Sequence, residues 1–383
     1  MKKVLAVILC VVLLSACGGK KDNTENKDGP EVEKTFVGIW ISYSELADAA
    51  TGNFKENFTL MCDNALSIGA TDLFVHIRPF CDSVYPSPLF PLCSWAKDLD
   101  YDVLSFMIET CHSKNLKFHG WINPYRVSTA YTDIEKLDEK SPAKINPDML
   151  GVSETGIYLD PSSQVARRLI LEGIREICES YDIDGIHFDD YFYPTTLSGF
   201  DEKNYKSYVN SSKNPLPLDM WRRANVNVLI AGVHSLLNNL SRPVTFSVSP
   251  AADIEKNENS LYADIDSWCK AGYIDAVIPQ LYFGFEYPMD KFKFENLINQ
   301  WINYLDESSV YLYIGLAPYK LDTEKVPDKS EWENGTHIVA KQIKLIKDNA
   351  AVDGAVLFSY SYIFSDSENF KLQKKEIEKA IKE

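Results

Sequence analysis

From Phe36 to the end of the chain, short apolar runs alternate with longer segments in which apolar residues recur every three or four positions. The short runs predict strands buried on both faces, and the longer segments predict amphipathic helices. The eight predicted strands are Val37–Ser42, Asp72–Arg78, Lys117–Asn123, Gly185–Asp189, Val244–Ser249, Ala276–Tyr282, Tyr311–Leu316 and Ala355–Ser359. The eight predicted helices are Asn57–Ile68, Tyr101–Lys114, Gln164–Tyr181, Met220–Leu240, Asp264–Ala271, Lys291–Asp306, His337–Asn349 and Glu368–Lys382. Eight alternating units favour a single α/β domain, a (β/α)8 TIM barrel, over an open doubly wound sheet.

The three longest predicted loops follow the second, third and fourth strands. They are Pro79–Leu99, Pro124–Ser163 and Tyr191–Asp219, and they contain many Tyr, Trp and Pro residues. Active sites of TIM barrels lie at the carboxyl ends of the strands, where such loops begin. Because loops of this length are usually functional or disordered, we expect these three to form the walls of a cleft.

The amino terminus has the pattern of a bacterial export signal. A basic start precedes an apolar run, Val4–Leu14, that is too short to span a bilayer. The following Leu14–Cys17 resembles the bacterial lipobox, so we expect residues 1–16 to be a lipoprotein signal peptide. Cys17 would then carry lipid and anchor the protein to a membrane outside the cytoplasm. An ordinary signal peptide with an unmodified cysteine is the alternative.

Residues 17–34 contain almost nothing apolar and predict a disordered tether between the lipidated cysteine and the folded domain. The barrel domain is therefore expected over residues 35–383. Its oligomeric state is not indicated by the sequence.

Charge and cysteine content exclude several classes of partner and site. The formal net charge of −16, without a concentrated basic stripe, argues against a nucleic-acid partner. The chain has no C-x-x-C spacing, so no zinc site, redox site or cofactor is expected. Cys81 and Cys93 share one loop and form a disulfide only if their Cα atoms lie within about 7 Å. The cysteines in predicted helices are expected to be buried free thiols: Cys62, Cys111, Cys178 and Cys269.

The densest cluster of polar residues is at the end of the fourth predicted strand, where Gly185–Pro194 has the sequence GIHFDDYFYP. Side chains alternate along a strand, so His187 and Asp189 are predicted to face the barrel axis. Asp189 stands at the carboxyl end, where a catalytic carboxylate is expected. Asp190 reaches the same place only if the chain bends after Asp189. A carboxylate that merely accepts backbone hydrogen bonds remains the alternative for both.

The third and second predicted strands each place several polar side chains on one face. His119, Trp121 and Asn123 share one face of the third strand, although His119 is equally explained as a core histidine. On the second strand, Arg78 shares a phase with His76 and is expected to orient a carboxylate or bind substrate.

The sixth predicted strand places Gln280 and Tyr282 in one phase, and Gln280 suits a sugar hydroxyl. Glu286 lies in the loop beyond this strand. It is either a catalytic partner of Asp189 or a solvent-exposed loop residue.

Together these residues resemble the glycosyl-hydrolase-like 10 family, over nearly the whole chain after Phe36. The motifs that carry the resemblance are Gly38–Trp40, His76–Pro79, Trp121–Arg126, Leu159–Pro161, Gly185–Pro194, Ser247–Pro250 and Pro279–Tyr282. The resemblance implies a barrel, an envelope location and action on a polysaccharide, with cell-wall (peptidoglycan) glycan as the expected class. Ala251–Asp253 stands where the family commonly has Phe-Gly, which puts the substrate contacts around the fifth strand in doubt.

The residues expected to bind the sugar are therefore Arg78, His119, Trp121, Asn123, Tyr125, Arg126, His187, Tyr191, Tyr193, Gln280 and Tyr282. Trp121 and Tyr193 are expected to be stacking platforms, since flat apolar rings match the C–H faces of pyranoses.

Glycoside hydrolysis needs an acid to protonate the leaving oxygen and a carboxylate to attack the sugar or activate water. Asp189 is predicted to be the nucleophile or base. Asp190 is the first candidate for the acid, followed by Glu286, with Asp160 and Asp253 behind them.

Two other functions fit parts of the same pattern. A catalytically inactive glycan-binding lipoprotein would keep the aromatic cleft without needing a pair of carboxylates. A metal-dependent hydrolase would use His76, His119, His187 and Asp189. The first strand lacks the His-x-His common in barrel metallohydrolases, which argues against the second function.

Overall fold

The computed structural model describes residues 36–306, 308–323 and 326–383. The predicted signal peptide, the lipidation of Cys17 and the predicted tether therefore lie outside the described residues. None of the described helices is both long enough and apolar enough to cross a membrane.

Eight parallel strands close into a barrel, which confirms the predicted TIM-barrel fold and the single domain. The strands, numbered here as barrel strands one to eight, are Phe36–Ile41, Asp72–Arg78, Lys117–Ile122, Gly185–Phe188, Thr245–Val248, Ala276–Val277, Tyr311–Leu316 and Gly354–Phe358. Each strand pairs with the next one along the chain, and strand eight pairs with strand one. All carboxyl ends therefore meet at one mouth of the barrel.

Strand six is shorter than its apolar pattern predicts. It ends at Val277, and Gln280 keeps only isolated bridges to Ala251 and Gly315. Beyond Pro279 the chain turns tightly, because the backbone N–H groups of Leu281 and Tyr282 donate to carbonyls only two residues earlier. Gln280 and Tyr282 thus leave the wall of the barrel at its carboxyl end.

All eight predicted helices are present, with ends displaced by a few residues at most. They are Phe54–Ser67, Val103–Ser113, Gln164–Ser180, Leu218–Asn238, Ile265–Lys270, Phe294–Tyr304, Ile338–Lys347 and Glu368–Lys382. Six shorter helices were not predicted: Tyr43–Ala49, Pro142–Ile145, Glu202–Ser211, Ile254–Asn259, Lys329–Trp332 and Tyr360–Ile363. Single 3-10 turns cover Ala96–Asp98, Ile134–Lys136, Pro147–Met149, Asp290–Phe292 and Pro318–Lys320.

The long loop after strand three contains a small antiparallel sheet that the sequence analysis did not predict. Its strands are Arg126–Ser128, Leu150–Ser153 and Gly156–Leu159, with the last in the middle. Gly156 has a φ of 147°, and a Cβ there would lie 2.0 Å from the carbonyl oxygen of Ser128. Only glycine fits this turn. The sheet fixes the position of Arg126 at the mouth of the barrel.

The loop after strand four is anchored by Arg222, which is fully buried on helix Leu218–Asn238. Its guanidinium donates to both carboxylate oxygens of Asp201 at 2.7 and 2.8 Å, and to the carbonyl oxygens of Thr196 and Leu197 at 3.0 and 2.8 Å. A buried charge is tolerated only when it is paired and hydrogen-bonded in this way. The anchor holds the loop that begins at Tyr191.

The apolar core has two parts. The larger one lies between the barrel wall and the surrounding helices. The smaller one fills the barrel interior and consists of Trp40, Phe74, Trp121, Ile278 and Val356.

All six described cysteines are buried and free, as expected for the four in helices. Cys81 and Cys93 are therefore not joined by a disulfide.

Candidate active site

A cavity of about 650 Å³ opens at the carboxyl ends of the strands. Every barrel strand or the loop that follows it contributes to its wall. The lining residues are Trp40, Ser42, Tyr43, Ser44, Glu45, Asp48, His76, Trp121, Arg126, Asp189, Asp190, Tyr191, Ser249, Gln280, Tyr282, Tyr319, Phe358, Ser359, Ser361 and Tyr362. The size and the mixed aromatic and polar lining are those of a small-molecule or glycan site.

Asp189 lies on the floor of this cavity, and only 4% of its surface is exposed. Its Oδ2 atom accepts hydrogen bonds from the indole N–H of Trp121 at 3.1 Å and from the side-chain amide of Asn123. Its Oδ1 atom accepts the backbone N–H of Tyr191 at 3.2 Å. Strand three thus supplies two donors, and the bend after strand four supplies the third.

Asp190 lies beside Asp189 and lines the same cavity, because the chain leaves the strand after Phe188. Asp190 is half-buried, and its Oδ1 accepts a hydrogen bond from the side-chain amide of Gln280 at 3.3 Å. The same amide donates to the carbonyl oxygen of Ser249 at 3.1 Å, which fixes its orientation. Both carboxylates predicted at the end of strand four therefore reach the cleft.

The surroundings of the two carboxylates oppose their ionisation. Burial, followed by the neighbouring charge of Asp190, raises the pKa of Asp189 to about 7 against an ordinary value of 3.8. Burial also raises the pKa of Asp190, against the opposing charge of Lys256. Arg126 lowers the pKa of both carboxyls but does not offset burial. Two adjacent acids that resist losing both protons can hold one proton between them near neutral pH.

Five of the predicted substrate-binding residues line the cavity: Trp121, Arg126, Tyr191, Gln280 and Tyr282. The guanidinium of Arg126 stacks on the ring of Tyr191 at 4.0 Å. Tyr282 stacks on Phe358 with 6.0 Å between ring centroids. Trp121 is only 7% exposed, and His76 covers one face of its ring at 3.7 Å. Only the remainder of that ring is available to a sugar.

Asn123 is buried behind Asp189 and does not line the cavity. Its side-chain amide donates the hydrogen bond to Asp189 described above, so it acts on the site only through that carboxylate.

Arg78 does not line the cleft, and the expectation that it shares a phase with His76 is wrong. The pairing of strands two and three shifts register between His76 and Arg78, so the two side chains do not share a phase. Arg78 instead packs outside the barrel, over the ring of Phe90 at 4.6 Å and against Gly173 of helix Gln164–Ser180. A bulge of this kind cannot be read from alternation alone.

His119 and His187 face the barrel interior as predicted, but they lie below the cleft. His119 bonds to Asp72 at 2.7 Å and lines a second cavity at the opposite mouth of the barrel. His187 is fully buried between Ser247 and Trp40, at 2.8 and 3.1 Å. The alternation of side chains predicted which face of the strand each histidine occupies, but not its depth in the barrel. Neither histidine therefore lines the cleft in which it was expected to bind substrate.

Tyr125, Tyr193 and Glu286 also lie outside the cavity. Tyr125 and Tyr193 are 1% and 2% exposed, and Tyr193 packs against Tyr262 at 5.1 Å. Tyr193 therefore does not present its ring to the cavity in which a sugar platform was expected. Glu286 is exposed on its loop and lies apart from the two aspartates, as its alternative interpretation allowed.

The loops after strands one, seven and eight also line the cavity, and their contribution was not expected from the sequence. Tyr43, Tyr319 and Tyr362 form much of the aromatic rim, and Tyr43 and Tyr362 are 40% and 41% exposed. A signal for the first of these loops was present: Ser42 and Glu45 form a capping box that starts helix Tyr43–Ala49. Glu45 also accepts the hydroxyl of Ser359 at 2.7 Å, which ties the first and last loops together.

The three barrel histidines do not converge on one point. His76 faces Asn123, His119 faces Asp72, and His187 lies between Trp40 and Ser247. Within residues 36–306, 308–323 and 326–383, no group of three or more His, Cys, Asp or Glu residues is arranged to hold a metal ion.

Comparison with known proteins places these observations in a family. The family described as glycosyl hydrolase-like 10 matches residues 36–334. Glycosyl hydrolase YngK of Bacillus subtilis (strain 168) is 33% identical over 326 residues, which cover 80% of this chain and 63% of the relative. Glycosyl hydrolase DigH of Escherichia coli (strain K12) is 27% identical over 335 residues, which cover 79% of this chain and 74% of the relative. The chain thus spans less than two thirds of the length of YngK.

Among solved structures, the PgaB (BpsB) glycoside hydrolase domain of Bordetella bronchiseptica aligns with a TM-score of 0.58 at 11% identity. The alignment covers 88% of this chain and 98% of that domain. The likeness supports the barrel fold.

The raised pKa of Asp189 predicts how stability depends on pH. Between about pH 4 and pH 7 the unfolded chain has lost a proton that the folded protein keeps, so the free energy of unfolding falls as pH rises through this window. The asparagine side chain in the Asp189→Asn variant cannot ionise, so this variant lacks that pH dependence. The melting temperature of this variant minus that of the wild type should therefore increase from pH 4 to pH 8.

Glu286→Gln, an exposed carboxylate outside the cavity, is the matched control and should follow the wild type across the same range. A difference between Asp189→Asn and the wild type that stays constant with pH would contradict the raised pKa.

Proposed function

The chain belongs to the glycosyl hydrolase-like 10 family, and from this premise we propose that it hydrolyses O-glycosidic bonds of a polysaccharide with the Asp189–Asp190 pair. The observation that carries the proposal is the placement of both carboxylates in one aromatic cleft at the carboxyl end of strand four. Catalytic groups of TIM-barrel enzymes are found at this end. Family membership and fold support glycosidase-like chemistry; the roles of the residues and the substrate are our inference.

Asp189 suits the role of base, nucleophile or stabiliser of positive charge on the sugar. Its three hydrogen-bond partners are N–H groups, of Trp121, Asn123 and Tyr191, and they can only donate. They favour the carboxylate over the acid, while burial favours the acid. A pKa near 7 is the result, and a base works best when its pKa lies near the working pH.

Asp190 suits the role of acid. It is less buried than Asp189, has one amide donor from Gln280, and has a raised pKa. Repulsion between the neighbouring charges keeps one proton on the pair, and Asp190 acts as the acid when that proton lies on it and Asp189 is ionised. In the first step Asp190 would protonate the leaving oxygen as Asp189 attacks the sugar or activates water.

The rim around the pair suits a sugar chain. Tyr43, Tyr191, Tyr319 and Tyr362 present aromatic rings to the cavity from four different loops. Such rings stack on the apolar faces of pyranoses, and tyrosine hydroxyl groups can bond to sugar hydroxyls. Arg126 adds a cation beside both carboxylates.

We propose a glycan of the cell envelope as the substrate, with peptidoglycan strands as the first to test. The support is the lipobox-like sequence Leu14–Cys17, which would hold the enzyme outside the cytoplasm, where such glycans lie. Incubation of the purified protein with peptidoglycan strands and a panel of other glycans, with products read by mass spectrometry, tests this choice.

The roles of the two aspartates predict different kinetic effects. Asp189→Asn should lower turnover by several orders of magnitude, because base or nucleophilic catalysis is lost while the binding groups remain. Asp190→Asn should lower turnover least for aryl glycosides with good leaving groups, which need little protonation. Steady-state kinetics on natural and activated substrates measures both effects.

Glu286→Gln is the control for these variants and should retain wild-type turnover, because it lies outside the cleft. Normal activity in a well-folded Asp189→Asn protein would remove Asp189 from the mechanism. Tight glycan binding by a wild type that releases no product would favour the inactive glycan-binding alternative.

Lipidation of Cys17 would attach the barrel to a membrane. Cys17→Ala should move the protein from the membrane fraction to the soluble fraction, as measured by immunoblotting after cell fractionation. Cys10→Ala, within the apolar run Val4–Leu14, should leave it membrane-bound. Membrane retention of the Cys17→Ala protein would contradict the anchor.

A further inference from the structure

His76 lies beneath the catalytic pair, at the carboxyl end of strand two, and is not accounted for by the roles given above. It lines the cavity but is only 1% exposed. It contacts both side chains that donate to Oδ2 of Asp189, namely Asn123 and Trp121. One imidazole ring thus touches two of the three groups that hold the buried carboxylate.

The first contact determines which way the amide of Asn123 points. Its Nδ2 atom donates to Asp189, so its Oδ1 atom faces the opposite direction and bonds to Nε2 of His76. A carbonyl oxygen only accepts, so Nε2 of His76 must carry the proton. With that donor in place, turning the amide over would set its NH2 group against an N–H and its oxygen against a carboxylate.

The second contact determines the plane of Trp121. The rings of His76 and Trp121 stack with 3.7 Å between centroids and 7° between planes. In this plane the indole N–H of Trp121 points at the same Oδ2 atom, at 3.1 Å. His76 is itself held from the side of the cavity mouth by Tyr43, whose ring meets it edge to face at 5.5 Å.

The protonation state of His76 agrees with this arrangement. Burial, followed by the charge of Arg126, holds the pKa of His76 well below its ordinary value of 6.5, so the ring is neutral at pH 7. Its Nδ1 atom is buried and has no hydrogen-bond partner among the described residues. A neutral ring with its single proton on Nε2 leaves an unpaired acceptor at Nδ1 but no unpaired donor.

We propose that His76 is a positioning residue, which fixes the amide of Asn123 and the indole of Trp121 so that both donate to one oxygen of Asp189. The proposal deepens the proposed function, since Asp189 is its base or nucleophile. The orientation of the two donors to Asp189 can, however, be tested without any substrate.

The titration of Asp189 reports this positioning directly. The ionisable groups that face it are Asp190 at the end of its own strand, Arg126 and Tyr191 from the loops, Tyr282 beyond strand six and His76 from strand two. None of the variants described next changes the charge of these groups at neutral pH, because His76 is neutral there. A change in the pKa of Asp189 therefore reports on its hydrogen bonds.

Two substitutions separate the hydrogen bond from the stack. His76→Phe keeps a flat ring against Trp121 but removes the donor to Asn123. His76→Gln places an amide N–H near the position of Nε2 and loses the flat ring. With aspartate carboxyl carbons labelled with ¹³C, NMR titration follows Asp189, whose signal is identified by its absence in Asp189→Asn.

In His76→Phe the amide of Asn123 is free to turn, so the pKa of Asp189 should rise by about one pH unit, the size expected for losing one hydrogen bond to a carboxylate. His76→Gln should return it most of the way to the wild-type value. Adding Asn123→Ala to His76→Phe should cause no further rise beyond that in Asn123→Ala alone, because the two residues act in series. Melting temperatures confirm that each variant is folded.

Two results would overturn the proposal. One is an unchanged pKa of Asp189 in folded His76→Phe. The other is an equal rise in His76→Phe and His76→Gln, which would mean that His76 only fills space.

Kinetics distinguishes failure of the positioning role from failure of the proposed function. On an accepted substrate, His76→Phe should lower kcat at least tenfold with little change in KM, and the alkaline shift of its pH profile should match the NMR titration. A shifted titration in a protein that hydrolyses no glycan would uphold the positioning role and reject the hydrolase. If Asp189 titrates normally in His76→Phe but this variant loses glycan hydrolysis, the hydrolase is upheld and the positioning role of His76 is rejected.

Discussion

The carboxylate of Asp189 is buried at the end of the fourth barrel strand, where three N–H groups compensate for the loss of water. Burying a carboxylate costs free energy unless neighbouring groups donate hydrogen bonds to its oxygen atoms. Trp121 and Asn123 provide two of these hydrogen bonds from strand three, and the bend at Tyr191 provides the third. The small sheet after strand three and the Arg222 anchor after strand four in turn fix the loops that begin at these points.

The three hydrogen bonds compensate for burial only in part. Three donors favour the anion, but burial and Asp190 outweigh them and raise the pKa of Asp189 to about 7. The free energy of unfolding is therefore expected to fall as pH rises from about 4 to about 7, because the folded protein keeps a proton that the unfolded chain has lost. Some loss of stability is common where a site keeps a charge out of water.

Sequence periodicity predicted the barrel, its eight strands and the inward face on which Trp121 lies, because alternation along a buried strand is a strong constraint. Periodicity did not predict depth in the barrel: His119 and His187 share that face but lie below the cleft. It also failed at Arg78, where a register shift moves the side chain to the outside of the barrel. Residues beyond the strand ends, such as Tyr193 and Tyr362, have no periodicity to place them, and their positions depend on how each loop packs.

The central claim is that this cleft hydrolyses a glycosidic bond rather than only binding a glycan. It is tested most directly by incubating the protein with glycan strands in H2¹⁸O and measuring the mass of the new reducing ends. Hydrolysis predicts one ¹⁸O atom per cleaved bond, since the water that resolves the reaction becomes the anomeric hydroxyl. New ends without the label, or bound glycan with no new ends, would contradict the account.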